Sequence, residues 1–511
     1  MRVTTALVVL MSAGLCLRLV AIGRQGLFKD EIFSASYTGL SWFETIVACL
    51  RYDVHPPTYY LQLNLWSIFG HSDNWLMLNS VMWGMLTLVL VFISVNRRAN
   101  TSAGLIALAL CAVLGSEIYF ANELRMYTMF SALIVLSWMA ADRFRRDYGF
   151  KTGLALALLL IIIGTLHSYG VIAVSAGLLY TFPIEHRREF WAVLPKWLGL
   201  ALPVSVFLLP WMINASTRHV SHLAHFSYSE LVYTISGWIL GYGSAIAGWL
   251  QSLIAAIVAL LLAVTLYRVE SLRRTILCFI LWPFIITALI CVSWKPIWLF
   301  RSFAFCAPFV AICLGLLCDR AKTPHRASMT LGVAALLGIG WMAYLQAIVP
   351  WKTQYREAAT YLRNNVQQGE IIYIPDHLTF WGIARYLAGP SWGNILEIED
   401  PVNQDHSLVW PGIYRRLGTA NLERLHLIPK TRRLDAFKAP IFIGWSPLRE
   451  AQTANVLWLV GPDIGSTDIV LSLVTHCKAA RSDTRLFIAV RVIRITCGTG
   501  DSRQFQYSNL H

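Results

Sequence analysis

The sequence predicts an α-helical polytopic membrane protein, with about eleven transmembrane helices and a small C-terminal α/β domain. Three observations support this fold class. Charged residues make up 14% of the 511 residues, whereas soluble domains carry about 25%. The apolar residues recur in runs of about 17 to 22, the length of a helix that crosses a bilayer. Beyond Trp351 these runs give way to a mixed, polar texture. A large soluble enzyme is therefore excluded.

The first apolar run follows Arg2 and extends to about Ile22. Arg18 interrupts it and many further runs follow, so we interpret it as an uncleaved span with a cytoplasmic start and not as a cleaved secretory signal. The later spans are predicted near residues 75–95, 102–119, 127–141, 152–166, 169–184, 196–213, 248–267, 275–293, 302–318 and 328–348.

The net charge of +14 does not indicate a nucleic-acid partner, because the basic residues lie in short clusters at alternate loops. This positive-inside pattern sets orientation in the membrane. It predicts a multi-pass protein of the cytoplasmic (inner) membrane, with membrane lipids around it, a cytoplasmic N-terminus and an extracytoplasmic C-terminal domain. The clusters are Arg97-Arg98, Arg143 with Arg145-Arg146, Arg187-Arg188, Arg273-Arg274, and Arg320 with Lys322 and Arg326.

Three segments are predicted to be external loops, at residues 23–74, 120–126 and 214–247. In the first loop, the short apolar segment Thr58 to Phe69 is typical of a helix that lies at the membrane interface. The sequence thus divides into a transmembrane catalytic domain, residues 1–349, and an α/β domain, residues 350–511.

The α/β domain is predicted from a helical stretch and four strand-like runs. The helical stretch contains Tyr355 to Leu362, and the runs cover residues 371–374, 440–445, 455–460 and 486–495. The ten cysteines show no zinc-site spacing. Cys477 and Cys497, the two beyond residue 350, are expected to pair if this domain faces an oxidising compartment.

An acidic pair, Asp30 and Glu31, follows the first span within the segment GLFKDEIFSASY. Adjacent carboxylates are common in solvated loops, but this pair lies within a few residues of a membrane boundary, beside Lys29, in a chain with few acidic residues. The segment RYDVHPPTYY then supplies Asp53 and His55 ahead of two prolines, which suit the first turn of a helix. A helix cap explains the prolines but not the histidine.

A third polar element, YFANELRMYTMF, places Glu123, Arg125 and Tyr127 between two spans. Glu123 and Arg125 could simply pair with each other. The planar fork of donors on Arg125 equally suits a phosphate group.

The ordered set of these elements resembles the GT-C class of membrane glycosyltransferases, in particular the bacterial relatives of protein mannosyltransferases and the aminoarabinose transferases of lipid A. The likeness covers residues 1 to about 350 and includes HSYG, with His167, and KPIWLFRSFAFCAPF, with Lys295, Pro296 and Arg301. Ser302-Phe303 stands where a Tyr-Leu pair is usual in that class.

The resemblance implies an inverting transfer of a sugar from a polyprenyl-phosphate donor to an envelope lipid, glycan or protein on the outer face of the membrane. It gives the catalytic positions to Asp30, as general base, and to Glu31. The substrate-binding positions are Asp53, His55, Glu123, Arg125, Tyr127, His167, Lys295 and Arg301. Of these, His167 lies between two apolar runs, where a histidine is more often a hydrogen-bonded core residue than a substrate contact.

A cofactor is not required by this resemblance. Carboxylate oxygens of Asp30, Asp53 and Glu123 could still hold Mg²⁺ or Mn²⁺, so a divalent metal stays open. The sugar and the acceptor also stay open, because chains of this kind carry several.

Two other functions compete. A transporter or flippase of a lipid-linked sugar would place its ionisable groups near mid-membrane, whereas the candidates here gather at one boundary. A binding or assembly protein acting through residues 351–511 would leave Asp30, Asp53 and the Glu123 to Tyr127 segment without a role.

The orientation is testable with alkaline-phosphatase fusions. A fusion after residue 400 should be active, because the basic clusters and the odd number of spans place the tail outside. A fusion after Arg98 should be inactive and serves as the cytoplasmic control. An inactive fusion after residue 400 beside an equally expressed control contradicts the predicted topology.

Overall fold

The computed structural model describes residues 2–51, 53–184, 189–217, 223–242, 246–320, 324–348, 351–368, 370–374 and 377–388, and the strand residues 433–434, 441–443, 456–461, 479–487 and 489–497. Helices dominate up to residue 348, and a β-sheet with two helices follows.

The helices in chain order are α1 (Arg2–Leu19), α2 (Lys29–Ser36), α3 (Trp42–Arg51), α4 (Thr58–Ser67), α5 (Asp73–Arg98), α6 (Thr101–Val113), α7 (Gly115–Ala121), α8 (Tyr127–Asp147), α9 (Phe150–Gly164), α10 (Gly170–Thr181), α11 (Phe190–Thr217), α12 (Tyr228–Leu240), α13 (Gly248–Arg268), α14 (Glu270–Ile276), α15 (Trp282–Ser293), α16 (Ala307–Asp319), α17 (Pro324–Ile348), α18 (Tyr355–Asn365) and α19 (His377–Ala388). A π-helical segment, Leu277–Leu281, joins α14 to α15, and 3₁₀ helices cover Tyr37–Gly39 and Phe300–Cys306.

Five helical segments of the described chain are long and apolar enough to cross a membrane: Asp73–Arg98, Phe190–Thr217, Gly248–Arg268, Glu270–Ser293 and Phe300–Asp319. The pair α6 and α7, bent by 57°, makes a sixth if it forms one span. Helices lie at all eleven predicted span positions. The helical, multi-pass architecture is confirmed, and the count of eleven spans stays a prediction. The short apolar segment of the first loop is indeed a helix, α4.

The chain folds into two compact units. The first contains Met1–Ile22, Asp53–Trp66 and Asn74–Trp351, and the second contains Gly23–Tyr52, Ser67–Asp73 and Lys352–His511. Contacts between residues thus assign most of the segment 23–74, predicted as the first external loop, to the same unit as the C-terminal part. The functional domain limits, 1–349 and 350–511, stay a prediction.

In the first unit, α6 packs against α1, α16 and α17. The α6 helix ends at Val113, the following residue, Leu114, has a non-helical ψ of 122°, and α7 starts at Gly115. A Cβ on Gly115 would lie only 2.0 Å from the backbone nitrogen of Gly241. This close approach, which only glycine allows, sets the start of α7 against the C-terminal end of α12.

The second unit contains a six-stranded mixed sheet. Its strands are β1 (Ile371–Ile374), β2 (Arg433–Leu434), β3 (Ile441–Ile443), β4 (Val456–Gly461), β5 (Ala479–Phe487) and β6 (Val490–Cys497). Their order across the sheet is β2-β3-β1-β4-β6-β5. The central strand β1 runs parallel to β3 and β4, with Ile372 opposite Ile441 and Trp458, and the other pairs are antiparallel. The helix α18 packs against α19.

The predicted α/β class of this domain is confirmed, and β1, β3, β4 and α18 lie where the sequence predicts them. The run 486–495, predicted as one strand, is wrong in extent. It contains the turn of a hairpin between β5 and β6, where Ala489 takes a φ of 54°. No glycine or proline marks this turn in the continuous apolar run, so the pattern concealed it. Cys477 lies outside the described residues, and its disulfide with Cys497 stays a prediction.

Glu370, beside β1, connects several parts of the sheet through its carboxylate. It accepts hydrogen bonds from Trp458 Nε1 at 2.6 Å, Arg494 Nη2 at 3.2 Å and the Gln367 amide at 2.8 Å. Burial raises the pKa of Glu370, but these hydrogen bonds and the Arg494 charge outweigh it, and the pKa lies below its usual value. The carboxylate therefore stabilises the sheet above the pKa of an unfolded glutamate, and this contribution is lost as the pH falls.

Glu370→Gln should weaken the sheet, because hydrogen bonds to a charged group are worth about 1.5 to 3 kcal/mol. We expect faster amide hydrogen exchange in β4 and β6 of the full-length protein at neutral pH. Arg485→Gln, which changes an exposed side chain of β5, is the control and should leave those amides unchanged. Equal exchange in both variants would show that the Glu370 contacts do not hold the sheet.

Candidate active site

The two adjacent carboxylates, Asp30 and Glu31, have different surroundings in the second unit. Glu31 Oε2 accepts a hydrogen bond from the Phe28 amide at 2.9 Å, and its Oε1 lies 2.7 Å from Lys352 Nζ. The Glu31 and Lys352 side chains are 0% and 3% exposed. Asp30 is partly exposed. Both oxygens of Glu31 thus hold α2 in place, whereas Asp30 is at the surface of its unit.

The chain just before α2 is fixed by α19. The Leu27 amide donates to the Tyr386 hydroxyl at 2.6 Å, and that hydroxyl donates to Asp73 Oδ2 at 2.7 Å. Arg385 lies 2.5 Å from the other Asp73 oxygen. Burial, and secondarily the Asp73 charge, raise the pKa of Tyr386 well above its usual value. Tyr386 therefore stays a neutral link between the segment that leads to Asp30 and α19.

In the first unit, the Asp53 to Pro57 segment leads directly into α4. Asp53 is buried, and its Oδ1 accepts the His55 amide at 2.9 Å. The helix then begins at Thr58, whose amide donates to the Thr165 carbonyl at 3.0 Å, while the two threonine hydroxyls lie 2.8 Å apart. These contacts fasten the start of α4 to the end of α9, the turn that precedes His167.

His167 lies at the centre of an aromatic and cationic cluster. Its ring centroid is 4.7 Å from that of His55, 5.3 Å from that of Phe130 and 5.7 Å from that of Tyr127. Its Nδ1 accepts the Tyr169 amide at 2.9 Å, so the proton of the neutral ring is on Nε2. Burial, and then the Arg125 charge, lower the pKa of His167 to about 3. The imidazole is therefore neutral at physiological pH.

His167 Nε2 is buried and has no hydrogen-bond partner within the described part of the chain. A buried donor left without a partner is costly. Such a group is often completed by a ligand or an ordered water. This N–H is therefore a candidate contact for an oxygen of a substrate.

The loop from Asn122 to Met126 carries two buried ionic side chains, Glu123 and Arg125, which are 1% and 6% exposed. Ser80 Oγ donates to the Glu123 carbonyl at 2.6 Å, and the Arg125 amide donates to the same carbonyl at 2.8 Å. The Tyr119 hydroxyl hydrogen-bonds to the Glu123 carboxyl. The loop is therefore rigidly held, with Arg125 close enough to His167 to act on its charge.

Lys295 and Arg301, the two cations predicted from the segment KPIWLFRSFAFCAPF, have different surroundings. Lys295 Nζ donates to the carbonyls of Ala215 at 3.2 Å and Ser216 at 2.8 Å, at the C-terminal end of α11. A cation at this position complements the helix dipole, and partial burial lowers the pKa of Lys295. Arg301 is partly exposed, lies 5.5 Å from the Phe300 ring, and acts electrostatically on Tyr119.

Ring contacts thus join His55, Tyr127 and His167 within the first unit. Electrostatic interactions add Arg125, through His167, and Arg301, which like Glu123 acts on Tyr119. Asp53 adjoins them through His55, Lys295 holds the end of α11, and Asp30 and Glu31 belong to the second unit. No three His, Cys, Asp or Glu side chains among the described residues are grouped so that they could hold a metal ion. Whether Asp30, Asp53 and Glu123 hold a divalent metal therefore stays open, as it does from the sequence.

Sequence reasoning missed several residues that complete these surroundings. Lys352 follows the last predicted span, and nothing in its local sequence indicates that it pairs with Glu31 across 321 positions. Tyr119 lies in the same segment as Glu123, but its apolar neighbours led us to place it at the end of a span. Thr58 lies in the segment RYDVHPPTYY and Thr165 in the predicted span 152–166, and neither position carries a signal of their mutual contact.

No protein-family model matches this sequence, and no curated protein matches it. Solved structures do match. ArnT from Cupriavidus metallidurans in the apo state aligns with a TM-score of 0.56 and 11% identity, over 97% of this chain and 98% of that chain. Its structure bound to undecaprenyl phosphate aligns with a TM-score of 0.58 and 13% identity, over 96% and 98%.

The oligosaccharyltransferase of Archaeoglobus fulgidus aligns with a TM-score of 0.45 and 12% identity, over 72% of this chain and 60% of that chain. This chain therefore spans only part of the length of that protein. The end-to-end alignments with ArnT show a shared fold, and the GT-C fold predicted from the sequence is confirmed.

The Glu31–Lys352 pair is testable by a double-mutant comparison. Lys352→Met should loosen α2 strongly, because an unpaired buried charge costs about 3 to 5 kcal/mol. The double variant Lys352→Met/Glu31→Gln should be much milder, since no charge is left buried. Amide hydrogen exchange in α2 of the full-length protein measures both.

Lys29→Met, which changes the exposed lysine beside the pair, is the control and should leave exchange in α2 unchanged. If the double variant is as loose as Lys352→Met alone, the cost does not come from the unpaired Glu31 carboxylate.

Proposed function

We propose that the protein is an inverting glycosyltransferase that moves a sugar from a polyprenyl-phosphate donor to an acceptor of the cell envelope, on the outer face of the cytoplasmic membrane. The observation that carries this proposal is the GT-C fold over nearly the whole chain, together with a buried cluster of cationic and neutral donors in the first unit. ArnT, which has the same fold, binds undecaprenyl phosphate in one of its structures.

The donor phosphate is assigned to Arg125, with His167 Nε2 and Arg301 as further contacts. Arg125 is nearly buried, so its charge acts in a medium of low dielectric constant, where it stabilises a phosphate strongly. His167 is neutral and offers a single N–H donor. An anion held by these groups keeps its charge compensated as the bond to the sugar breaks and negative charge grows on the phosphate oxygen.

Asp30 is assigned the role of general base. In the proposed step, an acceptor hydroxyl oxygen forms a bond to the anomeric carbon while the bond from that carbon to the phosphate oxygen breaks. The hydroxyl proton passes to the Asp30 carboxylate, polyprenyl phosphate leaves, and the configuration inverts. Partial exposure of Asp30 supports this role because a base must reach its substrate.

Glu31 is assigned to positioning. Both of its oxygens are engaged, by Lys352 and by the Phe28 amide, which leaves it poorly suited to take a proton from a substrate. Asp53 is the second candidate for the base, although it is buried and its Oδ1 accepts the His55 amide.

A flippase of a lipid-linked sugar is the second candidate function. The break between α6 and α7 favours it, as do the buried ionic side chains Arg18 and Glu117, because transporters use broken helices and intramembrane charges. Proteoliposomes loaded with a radiolabelled polyprenyl-phosphate sugar separate the two. Label in an acceptor indicates transfer, whereas label that changes leaflet without leaving the lipid indicates a flippase.

Asp30→Asn should lower the transfer rate at least a hundredfold, because a positioned base contributes about 10² to 10⁴ in rate. Asn is nearly isosteric, so folding and donor binding should survive. Glu31→Gln removes the charge that faces Lys352 and so loosens α2, but it should lower the rate less than Asp30→Asn does, because the base itself is kept. Transfer rates are compared at matched protein levels in liposomes, with Asp53→Asn beside them. If Asp30→Asn stays within about fivefold of wild type while Asp53→Asn is inactive, the base is Asp53.

A further inference from the structure

Arg18 is a completely buried arginine in the last turn of α1. Its Nη1 donates to the Gly14 carbonyl of its own helix at 3.0 Å and to the Ala112 carbonyl of α6 at 3.2 Å. A charged guanidinium enclosed by apolar helices is costly unless it is compensated. The position of Ala112 in α6 indicates the structural role of the Arg18 guanidinium.

Ala112 lies in the last turn of α6, just before the 57° bend at Leu114. In a continuous helix its carbonyl would accept the amide four residues ahead, at Ser116. The extended conformation of Leu114 interrupts that ladder. A carbonyl released in an apolar setting needs another donor, and Arg18 supplies one.

Two glycines make room for this side chain. A Cβ on Gly84, in α5, would lie 3.1 Å from Arg18 Nε, and a Cβ on Gly14 would lie 2.7 Å from Leu88. The first unit is thus built to bring α1, α5 and the bend together around one guanidinium.

Glu117 is the opposite charge on the far side of the bend. It is buried in α7, and its charge acts on Arg18. Glu117 Oε1 also accepts a hydrogen bond from Ser131 Oγ of α8 at 3.0 Å. Arg18 therefore holds the last turn of α6 directly and attracts α7 through Glu117.

The short helix α7 leads directly into the Asn122 to Met126 loop. Asn122 Nδ2 donates to the Ile118 carbonyl of α7 at 2.9 Å, so the loop continues from the orientation of that helix. The direction of α7 consequently sets the position of the Glu123 and Arg125 side chains.

We propose that Arg18 is a positioning residue that holds the bend between α6 and α7 and thereby places the loop that carries Arg125. Arg18 itself touches no substrate. The proposal rests on the proposed function only in giving Arg125 the donor phosphate. It also explains the buried charges Arg18 and Glu117 without a transport path.

The test uses the full-length protein in nanodiscs and compares Arg18→Met with Arg98→Met. Arg98 is a matched control because it too has partners within the protein: its Nη2 lies 2.8 Å from Asp142, and its guanidinium lies 3.9 Å from the Trp138 ring centroid. It is the last residue of α5, whereas Ser80, which contacts the Asn122 to Met126 loop, is near the start of that helix. Arg18→Met should accelerate amide exchange in residues 115–127 at least about tenfold, the effect of losing one charge-assisted hydrogen bond. Arg98→Met should leave that segment unchanged.

Kinetics then separates positioning from general destabilisation. Arg18→Met should raise the KM for a polyprenyl-phosphate sugar, because Arg125 is displaced. Arg18→Lys keeps the charge, so its KM should lie close to that of the wild type. Loss of folded protein alone, as in Arg98→Met, lowers the apparent kcat and leaves KM unchanged.

If the amide hydrogens of residues 115–127 exchange at the wild-type rate in Arg18→Met, the proposal is overturned. Accelerated exchange with an unchanged KM supports the role of Arg18 at the bend and contradicts the assignment of Arg125 to the donor. If Arg18→Met does not fold, Gly84→Ala displaces the guanidinium while keeping its charge. It should accelerate exchange in the same segment, and native exchange there counts against the proposal.

Discussion

An ionic side chain enclosed by apolar helices has to be solvated by the protein itself, because hydrocarbon offers no hydrogen bonds. This constraint explains much of the polar structure in the first unit. The Arg18 guanidinium donates hydrogen bonds to backbone carbonyls, one of which belongs to the last turn of α6, where the helix is interrupted. The Glu123 carboxyl is hydrogen-bonded to the Tyr119 hydroxyl. Arg18 and Glu123 thus each find a hydrogen-bond partner near a bend or a loop, and the charges and the irregular backbone stabilise each other.

The same constraint gives different properties to neighbours in the sequence. Glu31 is buried and its charge is matched by Lys352, so it resists any change that would leave the lysine alone. Asp30, one residue earlier on the same helix, is partly exposed. Successive residues of a helix point about 100° apart, and this rotation is sufficient to bury the Glu31 carboxylate while Asp30 stays partly exposed.

Much of the fold follows from local sequence. Helices stand at every predicted span position because long apolar runs favour helices in a membrane, and β1 and β4 follow from short apolar runs between polar stretches. Pairings over long separations were not predictable. Glu31 with Lys352, Thr58 with Thr165, and Arg18 with the Ala112 carbonyl depend on helix packing, for which one sequence carries no local signal. The hairpin turn at Ala489 was missed because it lacks a turn residue.

The backbone contact between Gly115 and Gly241 has a consequence for how this chain tolerates change during evolution. A Cβ at position 115 would meet the Gly241 backbone, which cannot rotate aside as a flexible side chain can. By contrast, a Cβ on Gly199, Gly248 or Gly340 would meet nothing within 4 Å. Substitution of glycine should therefore be tolerated far less at position 115 than at those three positions. A homologue with a larger residue at position 115 must have moved the end of α12 as well.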